Sequence, residues 1–232
     1  IVEDTRLVDI DLTPADDGEN YQVGAIAARS NLTELNRVLL RRATLSADGS
    51  AGGLVGIAGS VVGREIAIED TSVEAGERAG GMFGMLFWPS EIEDSYFRGA
   101  AAQHDRVSQS PGASLSAAAG IVAGGNRELA LHRVYVNAAV TSANRAFALL
   151  DDTVEPAGAG PVVQNTYYNG DLAMSAGLGT PLTTAEMRLA SSYVGFSPTT
   201  WVLTDGQLPR LRSNPAYTVQ DLFDFINDFF AA

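Results

Sequence analysis

The sequence predicts an all-β fold: a parallel β-solenoid of about five to six coils followed by an amphipathic C-terminal helix. Three observations predict it. An eight-residue block recurs along the chain, a Gly-rich block alternates with it, and the spacing between copies leaves no room for a crossover helix in every repeat.

The copies of the longer block are Leu7-Val-Asp-Ile-Asp-Leu-Thr-Pro14, Leu40-Arg-Arg-Ala-Thr-Leu-Ser-Ala47, Ile68-Glu-Asp-Thr-Ser-Val-Glu-Ala75, Ile92-Glu-Asp-Ser-Tyr-Phe-Arg-Gly99, Leu131-His-Arg-Val-Tyr-Val-Asn-Ala138 and Val163-Gln-Asn-Thr-Tyr-Tyr-Asn-Gly170. Places one and six are apolar or aromatic throughout, as a short strand with inward-facing side chains requires. Between them stand Gly24-Ala-Ile-Ala27, Gly53-Leu-Val-Gly56, Gly81-Met-Phe-Gly84, Gly120-Ile-Val-Ala123 and, more loosely, Arg145-Ala-Phe-Ala148. Their small residues suit a strand buried in a narrow interior, where backbones approach closely. Block starts are 33, 28, 24, 39 and 32 residues apart, so loops absorb the differences; residues 99–118 form the longest insertion. An antiparallel sandwich would explain the short strands but not the strict alternation of two block types.

Stacked coils place equivalent residues one inter-strand spacing, about 4.8 Å, apart. Place five then stacks Tyr96, Tyr135 and Tyr167 into an outward ladder, a candidate interaction surface. At place three, Asp9 meets Arg42 and Asp94 meets Arg133. Asp70 beside Asp94, and Glu69 beside Glu93 at place two, are expected to be like-charge clashes.

Residues 218–230 change character. Val219, Leu222, Phe223, Ile226, Phe229 and Phe230 recur at helical spacing, with Gln220, Asp221, Asp224, Asn227 and Asp228 largely opposite. Thr218 and the acid at Asp221 suit a helix N-terminus. Such a helix would either fold back over an open end of the solenoid or dock on a neighbouring subunit. The expected organisation is therefore repeats over 1–171, a segment over 172–212 completing the solenoid, and a capping or docking helix over 213–232.

Composition narrows the function. The chain has 232 residues with 15 cations against 28 carboxylates, a net charge of −13, and every cation is Arg. With no basic cluster, a protein that tracks phosphates is excluded, and anionic membrane surfaces are disfavoured. No apolar stretch is long enough to span a membrane. The absence of Cys removes disulfides, thiolate metal sites and cysteine nucleophiles. The start at Ile1, with no Met, leads us to expect that any signal peptide or upstream portion is missing from this sequence.

Motifs for chemistry are sparse. His104 lies in a polar loop and His132 on a predicted strand beside Glu93, and both read as ordinary surface residues. No nucleophile elbow, His-Glu-x-x-His helix or phosphate-binding loop occurs. Glu69, Asp70, Glu93 and Asp94 could supply a carboxylate pair for glycoside chemistry or hard oxygen ligands for Ca²⁺; a solvated acidic patch is the alternative. Asn31-Leu-Thr33 matches an N-glycosylation acceptor, a match common by chance.

Gly53-Leu54-Val55-Gly56, preceded by Ala51-Gly52 and followed by Ile68-Glu-Asp-Thr-Ser-Val73, resembles the GLUG repeat of bacterial surface and secreted proteins. Gly80-Gly81-Met82-Phe83-Gly84 with Ile92-Glu-Asp-Ser-Tyr-Phe97 is similar. In that family the repeats are often followed by elements resembling Leu182-Thr-Thr-Ala-Glu-Met187, Ser192-Tyr-Val-Gly-Phe196, Trp201 and Gly206-Gln-Leu-Pro-Arg-Leu-Arg212, which occur here in order. The resemblance spans about residues 20–212. It implies a right-handed β-helix, a secreted or cell-surface location, and a role in adhesion or as a stalk; it transfers no catalytic residue. The expectation is a non-enzymatic structural or adhesion module whose partners are further copies of itself, in a homo-oligomer or filament, or surface glycans. A carbohydrate-active or carbohydrate-binding β-helix is the alternative.

Overall fold

The structure, a computed structural model, describes residues 1–13, 21–103, 117–125, 128–142, 145–150, 160–172 and 178–214. Successive coils follow the same path. β1 (Val2–Leu12) leads to β2 (Ala27–Ala47), then through β3 (Ser50–Gly52) to β4 (Val55–Ala75). β5 (Arg78–Gly80) and β6 (Phe83–Leu86) precede β7 (Ser90–Gln103), β8 (Ala117–Ala119) precedes β9 (Leu129–Ser142), and β10 (Ala146–Phe147) precedes β11 (Val162–Gln164), β12 (Tyr167–Asn169) and β13 (Thr180–Leu182). The large sheet runs β1-β2-β4-β7-β9-β12-β13, with β6 on β4 and β11 on β9; a second sheet runs β3-β5-β8-β10. All these pairs are parallel. The chain is a parallel β-solenoid of about five coils. Among the described residues the one antiparallel pair is β14 (Trp201–Val202) with β15 (Arg210–Leu211), outside the coils. No helix of seven residues or more occurs among the described residues, and the predicted helix over 218–230 lies outside them.

The Gly-rich blocks line the interior as their small residues predict. A Cβ on Gly80 would stand 1.8 Å from the Phe83 carbonyl oxygen, and one on Gly81 would stand 2.1 Å from that of Gly120. Backbone therefore occupies the space a side chain would need, and only glycine fits. The larger inward residues, among them Leu54, Ile68, Met82, Phe83 and Phe97, fill the remaining volume and are fully buried. The expected fifth copy is displaced by three residues: Phe147 pairs with Ala119 and Leu150 with Val122, which sets Ala148, not Arg145, opposite Gly120. Alanine takes the glycine place there, so the last turn retains the narrow interior.

The register corrects one step of the sequence reading. Leu7 pairs with Leu40, Leu40 with Ile68, Ile92 with Leu131 and Leu131 with Val163, as the blocks predict. Ile68, however, stands opposite Phe97 and not Ile92; Ile92 pairs with Gly63. The slip is five residues, the difference between a step of 29 (97 − 68) and one of 24 (92 − 68). Its cause is in the backbone. Nine non-glycine residues among those described have positive φ, and they fall into two columns: Asp4, Arg37, Glu65, Asp94, Arg133 and Asn165 at one corner, and Asp9, Arg42 and Asp70 at the next. The corners lie five residues apart, as Arg37 and Arg42 show. Both bend the strand with one left-handed residue, a conformation that is uncommon outside glycine. Both are flanked by inward apolar places, so Leu35-x-Arg37-Val38-x-Leu40 and Leu40-x-Arg42-Ala43-x-Leu45 carry one local pattern. The first three blocks mark the second corner and the last three mark the first.

Candidate functional site

Between the first corner and the next, alternate residues point out of the solenoid and form two columns. The register aligns Arg6, Leu39, Ala67, Tyr96, Tyr135 and Tyr167 in one. Beside it, Val8, Arg41 and Glu69 lead to Arg98 and Asn137, with Asn169 above. The tyrosine ladder exists, with Tyr96 and Tyr135 stacked at 5.0 Å between centroids and 11° between planes. It is not an exposed surface. Tyr96, Tyr135 and Tyr167 are 0, 0 and 6 % exposed because residues 183–214, after β13, return over them.

That return segment descends from the last coil toward the first. Tyr193 and Phe196 pack edge-on against Tyr167 at 5.4 and 5.7 Å, and Tyr193 also meets Tyr135. Trp201 lies 6.0 Å from Tyr96 and 5.9 Å from Tyr135, fully buried, and its indole N–H donates to Asp94 Oδ1 at 2.8 Å. With Met187 and Leu211 these rings make a second hydrophobic core outside the coils. Burying stacked aromatics with a polar tip that finds a partner is favourable on both counts. Asn169 Nδ2 donates to Asn137 Oδ1 at 2.7 Å and to Thr184 Oγ1 at 3.1 Å, holding the start of the segment.

The most chemistry-bearing cluster sits under the end of this segment. Arg41 donates from Nε and Nη2 to Glu69 Oε2 at 2.9 and 2.6 Å, and Arg98 Nη1 reaches Glu69 Oε1 at 3.4 Å. Glu69 Oε1 also accepts from Tyr96 Oη at 2.5 Å and from Asn214 Nδ2 at 3.3 Å. Arg98 lies over the Tyr96 ring, 4.6 Å from its centroid, donates to Tyr135 Oη at 2.7 Å, and donates from Nη2 to the Pro209 carbonyl oxygen. Tyr135 Oη donates to the same carbonyl at 2.5 Å. One carboxylate, two guanidiniums and two phenols thus clamp residues 209 and 214 onto the solenoid.

This geometry redistributes the acids that were candidates for Ca²⁺ or for glycoside chemistry. Glu69 is committed to Arg41 and Arg98 and is buried. Asp94 takes a bidentate pair from Arg133 at 2.7 and 2.9 Å, and Glu93 accepts from Arg64 at 3.3 Å and from Arg133. Asp70 is exposed at the second corner, away from Asp94, which occupies the first. The expected clashes of Asp70 with Asp94 and of Glu69 with Glu93 do not occur, because the five-residue register step sets Arg98 beside Glu69 and Arg64 beside Glu93. Among the described residues no group of three or more His, Asp or Glu side chains is placed to hold a metal ion. The expected charge pairs Asp9 with Arg42, at 2.6 and 2.8 Å, and Asp94 with Arg133 are present. His132 pairs with Glu93 across the sheet; His104 and the expected interaction residues Leu222, Phe223, Ile226, Phe229 and Phe230 lie outside the described residues.

Burial acts directly on the phenols. It pushes Tyr96, Tyr135 and Tyr193 above the ordinary tyrosine value of 10.0, with the Glu69 carboxylate adding to the effect on the first two. A raised folded-state pKa means the folded protein keeps protons that the unfolded chain loses. The stabilisation is complete below pH 10 and declines as pH rises beyond it. Absorbance at 295 nm should show these three of the seven tyrosines resisting ionisation until the protein unfolds cooperatively in alkali. All seven titrating near pH 10 with native circular dichroism would contradict the buried ladder.

One pair of large apolar side chains stands apart. Phe87 and Trp88 are 55 and 52 % exposed on the loop between β6 and β7, which is held by bonds from both backbone amides to Gly59 O, at 3.2 and 2.7 Å. The Trp88 ring covers Gly59, where an added Cβ would meet it at 2.6 Å.

No family model, curated protein or solved structure matches the chain. The solenoid implied by the GLUG-like motifs is present, and the motif series Ser192–Phe196, Trp201 and Gly206–Arg212 forms the segment that seals the tyrosine ladder. Part of the clamp was visible in sequence, since Arg41 and Glu69 are opposite charges at place two of adjacent blocks. Arg98 was missed because the slipped register put Glu93 where Arg98 stands.

Proposed function

We propose that the protein is a non-enzymatic, extracellular structural or adhesion module, a rod on which other surfaces or copies are displayed, as in the GLUG-repeat proteins it resembles. The observation that carries this reading is the use of its polar chemistry. The carboxylates, guanidiniums and phenols best able to do chemistry are spent on one another and on clamping residues 183–214 to the coils. A catalytic carboxylate must be open to substrate, and Glu69 is covered. Sedimentation over a concentration series, with binding assays on cell surfaces and immobilised polysaccharides, tests it. Assembly or surface binding without turnover is the expected result; hydrolysis or lyase activity on any polysaccharide, lost in Glu93→Gln, would overturn it.

A glycan-binding role is the second reading, favoured by Phe87 and Trp88. A half-exposed indole backed by Gly59 offers a flat ring to the C–H face of a sugar. Trp88→Ala should then reduce glycan retention at least tenfold with unchanged thermal stability.

A further inference from the structure

Phe87 and Trp88 owe their exposure to a local change of register. Ala58 pairs with Leu86, a step of 28 (86 − 58), whereas Val62 pairs with Glu91, a step of 29 (91 − 62). One extra residue therefore lies between Leu86 and Glu91, and the chain bulges outward to hold it, as bulges that re-aim side chains do. The bulge is tied down. The Phe87 amide donates to Ala58 O at 3.1 Å as well as to Gly59 O, Ser60 Oγ donates to the Pro89 carbonyl oxygen at 2.5 Å, and Ser90 Oγ donates to that of Trp88 at 2.9 Å. A third apolar side chain adjoins the pair. Leu32, 79 % exposed, stands in register with Ser60, and the Trp88 ring reaches back toward it: Trp88 Cζ3 and the Asn31 carbonyl oxygen lie 2.6 and 2.3 Å from one point, the Cβ position of Gly59. The three make an apolar strip along the solenoid axis over about two inter-strand spacings, roughly 10 Å. Its border is acidic. In the neighbouring outward column Glu34 and Glu91 stand on either side of Val62. Among the described residues Arg64 and Arg29 lie nearby, the first bonded to Glu93 at 3.3 Å and the second to Gln22 at 2.7 Å.

We propose that Leu32, Trp88 and Phe87 form a binding platform for a neutral glycan, a short run of unsulfated, uronate-free sugar rings lying along the solenoid axis, and that Glu34 and Glu91 exclude anionic polysaccharides. Three arguments select this occupant. The first is size: one mostly exposed and two half-exposed side chains offer roughly 300–400 Å² of apolar surface, well short of the roughly 800 Å² per partner of a stable protein interface. A strip one side chain wide suits a chain of sugar rings instead. The second is preorganisation. The bonds from Ala58, Gly59, Ser60 and Ser90 fix the loop before any ligand arrives, so little ordering entropy is lost on binding. The third is charge. Carboxylates beside the strip accept hydrogen bonds from sugar hydroxyls, whereas a uronate or sulfate would meet like charge, so the same two side chains attract one class and repel the other. A net charge of −13 sets nucleic acid and anionic membranes aside as occupants. The inference rests on the glycan-binding reading and adds to it the ligand's charge class and the part played by Leu32.

The test uses the full chain at low ionic strength, where charge repulsion is least screened. Because Trp88 and Trp201 are the two tryptophans, the Trp201→Phe variant makes Trp88 the sole emitter. Titration with soluble β-glucan and galactan, as neutral probes, should shift its emission to the blue and shield it from iodide, while alginate and chondroitin sulfate should bind at least tenfold more weakly. Glu34→Gln with Glu91→Gln should narrow that gap at least threefold. Affinity electrophoresis of the parent, Leu32→Ser and Trp88→Ala, each checked by circular dichroism for native fold, completes the set. Leu32→Ser should weaken retention by the neutral polysaccharides at least threefold. Anionic polysaccharides bound as tightly as neutral ones, or full retention by Leu32→Ser, would overturn the inference; if Trp88→Ala still lowers retention, the glycan reading itself survives. Retention unchanged in Trp88→Ala, or no binding to any of the four polysaccharides, would remove both. Binding to phosphatidylcholine vesicles in their place would assign the strip to lipid and likewise overturn the proposal.

Discussion

Replacing Glu69 with Ala should cost about 3–5 kcal/mol of stability, because it leaves the guanidiniums of Arg41 and Arg98 without the carboxylate that balances them. Arg41 is only 3 % exposed, so water cannot take over that role. For a chain of 232 residues each kcal/mol moves Tm by roughly 2–4 °C, which predicts a fall of roughly 6–20 °C. Glu69→Gln keeps acceptor oxygen but not charge and should fall between. The triple replacement Arg41→Met, Glu69→Leu, Arg98→Met should recover most of the loss, since removing all the charges removes the desolvation cost along with the attraction. Thermal and denaturant unfolding of the set decide it. A Glu69→Ala protein within about 0.5 kcal/mol of the parent would mean the clamp contributes nothing, as for an exposed pair.

Trp201→Ala should be nearly as damaging, at about 3–5 kcal/mol, by opening a cavity between Tyr96, Tyr135 and Phe196, whose ring lies 4.5 Å away. Trp201→Phe should cost only about 1 kcal/mol, because Asp94 keeps its bidentate Arg133 when the indole donor goes. Fluorescence provides an internal check. The two tryptophans are Trp201, buried, and Trp88, half exposed, so Trp201→Phe should leave a red-shifted emission that iodide quenches freely. In Trp201→Ala the return segment should also become sensitive to proteases before the coils do. An emission spectrum unchanged by Trp201→Phe would place Trp201 in water and remove the outer core from the account.

These experiments bear on how the negative charge is used. An excess of 13 carboxylates spread at random would only repel. Asp4, Asp9 and Asp94 instead stand at corners beside Arg37, Arg42 and Arg133, and Glu69 is enclosed by two arginines. Arginine suits the three corners, where its planar fork meets both oxygens of the carboxylate with two parallel bonds, which the compact ammonium of Lys does not. The ladder pairs at Asp4 and Asp9 are solvent-exposed and add little individually. The buried clamp is different, because its central carboxylate, Glu69, is held at once by Arg41, Arg98, Tyr96 and Asn214.

The solenoid was legible in the sequence because its signals are local. Apolar places two and three residues to either side of a corner residue, and glycines where backbones touch, are properties of a few consecutive positions and recur with every coil. The pairs Asp9 with Arg42 and Asp94 with Arg133, and the stacking of Tyr96 on Tyr135, follow from that recurrence alone. What the tertiary structure decided was the register of one step and the fate of the ladder. Two corners five residues apart carry the same pattern, so periodicity cannot say which corner a given block marks; only the pairing of Ile68 with Phe97 does. Nor does any local pattern tell that Trp201 will reach Asp94, 107 residues away, or that Asn214 will reach Glu69, 145 residues away. Those contacts depend on a segment folding back over coils already formed, and they turn a tyrosine column that reads as a surface into a core.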